Sequence, residues 1–180
     1  DLGLAEAGVG GGEADVAIAT EAIEHFQELV MLPCYEWNRC VIVPPKHPLL
    51  KIKKLTLEAI NQYPIITYDF AFTGRSKINQ AFANCGLEPN VVLTAIDSDI
   101  IKTYVELGLG VGILANMAFD VKRDKNLRSI DASHLFESST TRIGISRHSY
   151  LRGYIFDFIE MFAPHLNYAS IQARLENSKS

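Results

Sequence analysis

Apolar positions along the chain fall into short runs and helical stripes separated by turn residues. DVAIAT (Asp15–Thr20), LVMLPCY (Leu29–Tyr35) and RCVIVP (Arg39–Pro44) are nearly continuous Val/Ile-rich runs, which predicts strands whose two faces are both covered. PPKHPLL (Pro44–Leu50) is a proline-broken loop. Thr56 predicts the cap of a short helix, TLEAINQ, with Glu58 in its first turn. PIITYD (Pro64–Asp69) predicts a strand. Thr73 then caps a helix over GRSKINQAFANCG, with Ile78 and Phe82 four apart and Gly86 as its stop. VVLTAI (Val91–Ile96) is a further strand. Asp97 or Ser98 opens a helix that puts Ile100, Ile101, Tyr104, Val105 and Gly108 on one face, and GVGILA (Gly110–Ala115) returns as a strand.

The remainder is read the same way. Lys122–Asn126 is a charged loop and TRIGISR (Thr141–Arg147) a strand. Leu151, Tyr154, Ile155, Phe158, Ile159 and Phe162 form the stripe of a helix that Ser149 caps and Pro164 ends. The tail, Asn167–Ser180, predicts a short surface helix. Residues Asp1–Gly12, with GVGGG at their end, carry little periodicity. Strands alternating with helices predict an α/β fold with a mainly parallel sheet and helices on both sides.

Composition narrows the class. The 180 residues are 48% hydrophobic and 21% charged, typical of a globular chain. Seventeen Lys and Arg against 21 Asp and Glu leave a net charge of −4, so this is no bare nucleic-acid binder; any DNA contact lies elsewhere. No apolar run approaches the ~18 residues of a membrane span, and no signal peptide opens the chain. Asp1 in place of Met reads as the start of a fragment or processed product. Cys34, Cys40 and Cys85 form no CxxC pair; this points to the cytoplasm and to structural thiols.

Little in the chain asks for catalysis. Gly110, Gly112 and Ala115 match G-x-G-x-x-A, but the pattern leaves a helix and enters a strand, the reverse of the order that seats a pyrophosphate, so it reads as a tight turn. GRSK lacks the spacing of a nucleophile elbow. The five histidines lie far apart, with no local metal-ligand pair, and His47 reads as a solvated loop residue. Asp97 and Asp99 read as capping and dipole-compensating carboxylates. No enzyme, metal or cofactor is expected.

Thr73-Gly74-Arg75-Ser76 is the constellation that stands out. It follows a strand and opens a helix, so its hydroxyl, glycine and free first-turn N–H groups read either as a plain N-cap or as an anion site. Arg75, at the second helical position, reads as pointing to solvent. Thr20 ends an apolar strand, where α/β proteins bind ligands.

ADVAIATEA (Ala14–Ala22), MLPCYEWNRCVIVPPKHPL (Met31–Leu49), YPIITYDFAFTGRS (Tyr63–Ser76), DSDIIKTYVELGLGVGILA (Asp97–Ala115) and FAPHL (Phe162–Leu166) together resemble the effector-binding domain of the CysB/Cbl group of LysR-type transcriptional regulators of bacterial sulfur assimilation. The resemblance runs from about Glu13 to Leu166. It implies two subdomains of parallel or mixed sheet flanked by helices, like type II periplasmic binding proteins. Subdomain I would comprise residues 1–35 and 140–180, incomplete at its N-terminus, and subdomain II residues 36–139. An effector, namely sulfate, thiosulfate, another small oxyanion or an acetylserine-type inducer, would bind in the cleft between them. Carried over by motif, Thr20 and Thr73 are ligand contacts, Gly74, Arg75 and Ser76 accompany Thr73, and Trp37 and Ser98 lie near the cleft.

The family's N-terminal winged helix-turn-helix, linker helix and first strand and helix of subdomain I have no counterpart here, so DNA would be bound only through that missing part. Self-association into a dimer or tetramer when full length, with Phe158 and Phe162 at the contact, is also implied. The alternative is a free periplasmic-type solute-binding protein for a small anion, against which the lack of a signal peptide and the unpaired cysteines count.

Overall fold

The computed structural model describes residues 9, 14–20, 29–69, 75–147 and 151–177. The chain divides into two compact units: unit 1 is Asp1–Glu36 with Thr140–Ser180, and unit 2 is Trp37–Ser139. Unit 2 is a five-stranded sheet in the order β5-β4-β6-β3-β7, with β3 Arg39–Val43, β4 Ile65–Tyr68, β5 Val91–Ala95, β6 Val111–Ala115 and β7 Arg128–Asp131. Its helices are α1 Leu57–Asn61, α2 Arg75–Asn84 and α3 Ser98–Glu106.

All five residues of β3 are buried, because alternate side chains enter two different cores. Val41 and Val43 pack with Leu57 and Ile60 of α1 and Ile78 and Phe82 of α2. Cys40 and Ile42 pack on the other face with Ile101 and Val105 of α3. Burial on both faces is why a strand of this kind is written as a continuous apolar run. Helices therefore cover both sides, but the sheet is mixed rather than mainly parallel. β4 is parallel to β5 and β6, whereas β3 is antiparallel to β6 and to β7. Strict strand–helix alternation holds only from β4 to β6, and only there are neighbouring strands paired in parallel. β7, a mostly exposed polar edge strand, gave no apolar pattern from which to expect it.

Local signals operate at the element ends. Thr56 Oγ1 accepts from the Ala59 N–H at 3.2 Å. Asp97, not Ser98, caps α3: its Oδ1 accepts from the Ile100 N–H at 2.9 Å. Gly86 follows α2 with φ at +68°, the left-handed turn that ends many helices. Gly110 and Gly112 owe their identity to close packing: a Cβ would lie 2.4 Å from the Pro64 carbonyl oxygen at the first and 2.5 Å from Ile42 Cγ1 at the second.

Unit 1 holds a three-stranded sheet in the order β1-β8-β2, with β1 Ala17–Thr20, β2 Leu29–Trp37 and β8 Ser139–Ser146. Both β2 and β8 have one end residue in unit 2, so the chain passes between the units along these strands. β1 and β8 are antiparallel, with Thr20 opposite Thr141. Val30, Leu32, Ile143 and Ile145 pack against α4 (Gly153–Phe162) and α5 (Tyr168–Asn177). The tail helix lies at the surface as expected, with Tyr168, Ala169, Ala173 and Arg174 exposed, but it is tied to the core: Ile171 is fully buried and Leu175 nearly so. Its one apolar stripe completes the unit 1 core.

The α4 stripe is narrower than its periodicity predicts. Ile155 and Ile159 are buried, whereas Tyr154 and Phe158 are 52% and 40% exposed. Tyr154 donates to Asp15 Oδ2 at 2.7 Å, and the Phe158 ring stacks on Phe162 within the same helix. Arg152 occupies the N-cap position with no side-chain capping bond, and the expected cap Ser149 lies outside the described residues. No described helix is long and apolar enough to cross a membrane.

Candidate functional site

The parallel pair β4–β5 brings its carboxyl ends together where α2 and α3 begin. Open α/β sheets bind ligands at such an edge, because first-turn N–H groups and positive helix ends collect there. The two strand ends are tied by the Asp69 N–H donating to the Ala95 carbonyl at 3.0 Å and by Thr94 Oγ1 donating to Asp69 Oδ2 at 3.1 Å. Ser98, half-buried, is the first residue of α3 behind its Asp97 cap.

Arg75 opens α2 and does not point to solvent. It is 8% exposed; its Nε donates to Asn79 Oδ1 at 3.0 Å and its Nη1 to the Tyr68 carbonyl at 3.2 Å. The helix directs this side chain back over the strand end, in line with the N-terminal tilt of helical Cβ atoms. Burial draws the guanidinium pKa down from its ordinary value, and Asp69 opposes this. Burial likewise raises the Tyr68 hydroxyl above its usual range. The result is a sheltered cation at the carboxyl edge of a sheet.

The other expected site residues distribute unevenly. Thr73 and Gly74 lie outside the described residues. Ser76 is exposed and lines a separate groove of unit 2 that Arg75 does not line, since adjacent helical residues face about 100° apart. Trp37 is half-buried at the end of β2, with the Arg39 guanidinium 5.1 Å from its ring centroid. Thr20 is half-buried in unit 1, opposite buried Thr141. Unit 2 therefore brings Arg75 and Ser98 to one sheet edge and sets Ser76 apart from them.

Sequence reasoning missed Arg39, which is 2% exposed. Its Nη1 donates to the Glu137 carbonyl and its Nη2 to Ser139 Oγ, both at 2.9 Å. Asn38 beside it donates to the carbonyls of Ser133 and Phe136 at 3.2 Å. The available signal was the row Glu36, Trp37, Asn38 and Arg39, three of them polar, set between two apolar runs. Asp69 and Thr94 were also missed, and only strand pairing places them together.

The described histidines, His47, His134 and His165, make structural contacts. His47 is half-buried, not freely solvated: its Nδ1 accepts from the Leu49 N–H at 3.3 Å, its ring meets Tyr63 edge-on, and burial lowers its pKa. His134 Nε2 bonds the Leu55 carbonyl and His165 Nε2 that of Pro33. Cys34 and Cys40 are buried and their thiols pushed up by burial, while Cys85 is exposed. Among the described residues no three His, Cys, Asp or Glu groups are placed to hold a metal ion.

Comparison with known proteins gives a consistent set of relatives. The LysR substrate binding domain family matches residues 3–167. The HTH-type transcriptional regulator SsuR of Burkholderia cenocepacia is 55% identical over 167 residues, 93% of this chain and 54% of SsuR. The regulator CysB of the same organism is 54% identical over 91% of this chain and 52% of its own. The crystal structure of the cofactor-binding domain of the Cbl transcriptional regulator superposes with a TM-score of 0.89 at 39% identity, covering 96% of this chain and 76% of that one. The chain spans about half the length of the curated relatives it matches.

Proposed function

The chain belongs to the LysR substrate-binding domain family, and on that premise we propose that it is the effector-sensing part of a bacterial transcriptional regulator of sulfur assimilation. Its fold is that of the LysR effector-binding domains, periplasmic-binding-protein-like, with mixed sheets flanked by helices. The effector in this reading is a small oxyanion, sulfate or thiosulfate, or an acetylserine-type inducer. The observation that carries it is Arg75, a cation sheltered at the carboxyl edge where α2 and α3 begin. A site of hydroxyls, backbone N–H groups and one buried guanidinium suits reversible recognition of a small anion.

Residues 1–35 with 140–180 and residues 36–139 are the two subdomains in this proposal, with the effector between them. Thr20, Thr73, Gly74 and Arg75 are its contacts, and Trp37 and Ser98 lie close by. DNA is bound by a helix-turn-helix segment of the longer protein, which works as a cytoplasmic dimer or tetramer and does not turn its effector over. A free solute-binding protein is not favoured, because SsuR and CysB are transcriptional regulators.

Thermal shift with sulfate, thiosulfate and O- or N-acetylserine, against chloride at matched ionic strength, separates binding from screening. An anion at about 100 times its dissociation constant stabilises the fold by about 2.7 kcal/mol. Thr73→Ala is expected to weaken sulfate binding in a calorimetric titration by more than the ~1 kcal/mol that loss of a cap costs the fold. Unchanged affinity removes Thr73 from the site. A melting point raised by neutral sugars and by none of these anions overturns the reading.

A further inference from the structure

Extended chain sends every second side chain to the same side, so the order Trp37-Asn38-Arg39 sets an indole and a guanidinium on one face. In the fold they meet, with Arg39 Cζ 5.1 Å from the centroid of the Trp37 ring, inside cation–π range. The guanidinium is fixed from behind by its bonds to the Glu137 carbonyl and Ser139 Oγ. A planar fork held at two points fixes the plane against which the ring rests. The backbone between the pair is held as well. The Arg39 N–H donates to Asn38 Oδ1 at 2.8 Å and the Asn116 N–H to the Asn38 carbonyl at 2.9 Å.

Strand register brings this pair to the edge that Arg75 occupies. β3 begins at Arg39 opposite Ala115, the last residue of β6, and β6 runs parallel to β4, which ends at Tyr68. Tyr68 answers to both arginines. Its carbonyl accepts from Arg75 Nη1, and its hydroxyl, pushed up by burial, is drawn the other way by the Ala115 backbone and the Arg39 charge. Trp37, Arg39, Tyr68 and Arg75 all belong to unit 2. Arg39 is 2% exposed and so closed to a ligand, whereas Trp37 is only half-buried. An aromatic ring fixed before a ligand arrives spares the entropy of ordering it on binding.

We infer that Arg39 is a positioning residue of the effector site: it holds the Trp37 indole at the sheet edge in the posture that meets the effector, and sets affinity without touching the effector itself. This rests on the reading of that edge as the effector site.

Trp37 is the only tryptophan of the chain, so fluorescence reads its posture without a competing signal. Acrylamide quenching of the ligand-free chain is expected to rise about twofold in Arg39→Met, which loses the charge and the fork. Calorimetric titration uses sulfate, thiosulfate and O- and N-acetylserine. Whichever of them binds the wild type is expected to bind Arg39→Met about tenfold more weakly and Arg39→Lys, which keeps the charge but not the fork, about threefold more weakly. Should Arg39→Met lack the far-ultraviolet dichroism of the wild type, Arg39→Lys carries both measurements. Trp37→Leu completes a cycle: in that background Arg39→Lys is expected to change affinity by less than about 1.5-fold, because the arginine acts through the ring. An arginine that only supports the fold would lower the melting point and leave quenching and this non-additivity unmoved. The proposal is overturned by unchanged quenching, by unchanged affinity in the Arg39 variants, or by losses that add in the double variant. A wild type that binds none of the four compounds overturns the effector reading and the proposal with it, whereas binding that Arg39 does not alter overturns the proposal alone.

Discussion

The two sheets of this chain are assembled across very different distances. In unit 2 the central elements follow one another without interruption: β4, α2, β5, α3 and β6 run from Ile65 to Ala115. The turns along this run carry local punctuation, with Gly86 after α2 and the Asp97 cap before α3. In unit 1, β1 at Ala17–Thr20 finds its partner in β8 at Ser139–Ser146, with the whole of unit 2 between them. The entropy of closing a loop grows only slowly with its length, so such a pairing is tolerated. It is secured by the apolar face that β2, β8, α4 and α5 share. The comparison teaches that unit 2 is specified element by element, whereas unit 1 depends on a core that closes only when both chain segments are present.

That contrast is exposed to test by truncating one core at a time. Phe82→Ala, at a fully buried position of unit 2, is expected to cost about 3–5 kcal/mol, and Ile171→Ala in α5 about 2–5 kcal/mol. Hydrogen exchange on each variant should show the first loss concentrated in unit 2 and the second in unit 1. An Ile171 variant within about 0.5 kcal/mol of wild type in urea would show that α5 adds nothing to the unit 1 core.

Arg39 stands where the chain enters unit 2, and it grips the residues by which the chain leaves. Arg39→Met removes the donors to Glu137 and Ser139 and leaves those groups to find others; the expected loss is about 1.5–3 kcal/mol, the worth of hydrogen bonds to a charged group. A chemical melt that moves by less than a third of this would make Arg39 incidental to the crossing.

Asp97→Ala probes the local punctuation of unit 2 and is expected to cost about 1 kcal/mol, with Asp97→Asn close to neutral because asparagine caps equally well. If both variants melt alike, α3 is held by packing alone.

His47 gives the smallest effect. Burial lowers its pKa from the ordinary 6.5, so the folded state binds its proton less readily than the unfolded chain does. The contribution to stability is complete above about pH 6.5 and declines as the pH falls below it. Melting curves at pH 7.5 and 5.5 should therefore converge slightly in His47→Asn, which can still accept from the Leu49 N–H; an identical pH dependence in both proteins removes His47 from the linkage.

At the candidate site, the posture of each side chain is decided by the tertiary structure. Arg75 is next to glycine and serine in a row that reads as polar and open, yet its side chain is drawn under cover by the Tyr68 carbonyl and Asn79. Ser76, its neighbour, is carried to another groove by the helical rotation. Asp69 and Thr94 look unremarkable in separate segments and meet only because β4 and β5 pair in parallel.

What the sequence by itself determined are the elements whose reasons are local. The Val/Ile runs of β2 and β3, the Thr56 cap, the Ile78–Phe82 stripe and the glycine after α2 act within a few residues of themselves, so hydrophobic period and capping chemistry suffice to place them. The tertiary structure alone decided the antiparallel placement of β3, the edge strand β7, the burial of Ile171 and Leu175 in α5 and the direction of Arg75. Each of these depends on which distant surface is available to cover a face or accept a hydrogen bond. A side chain's environment is set by neighbours brought in from far along the chain, and a local pattern carries no record of them.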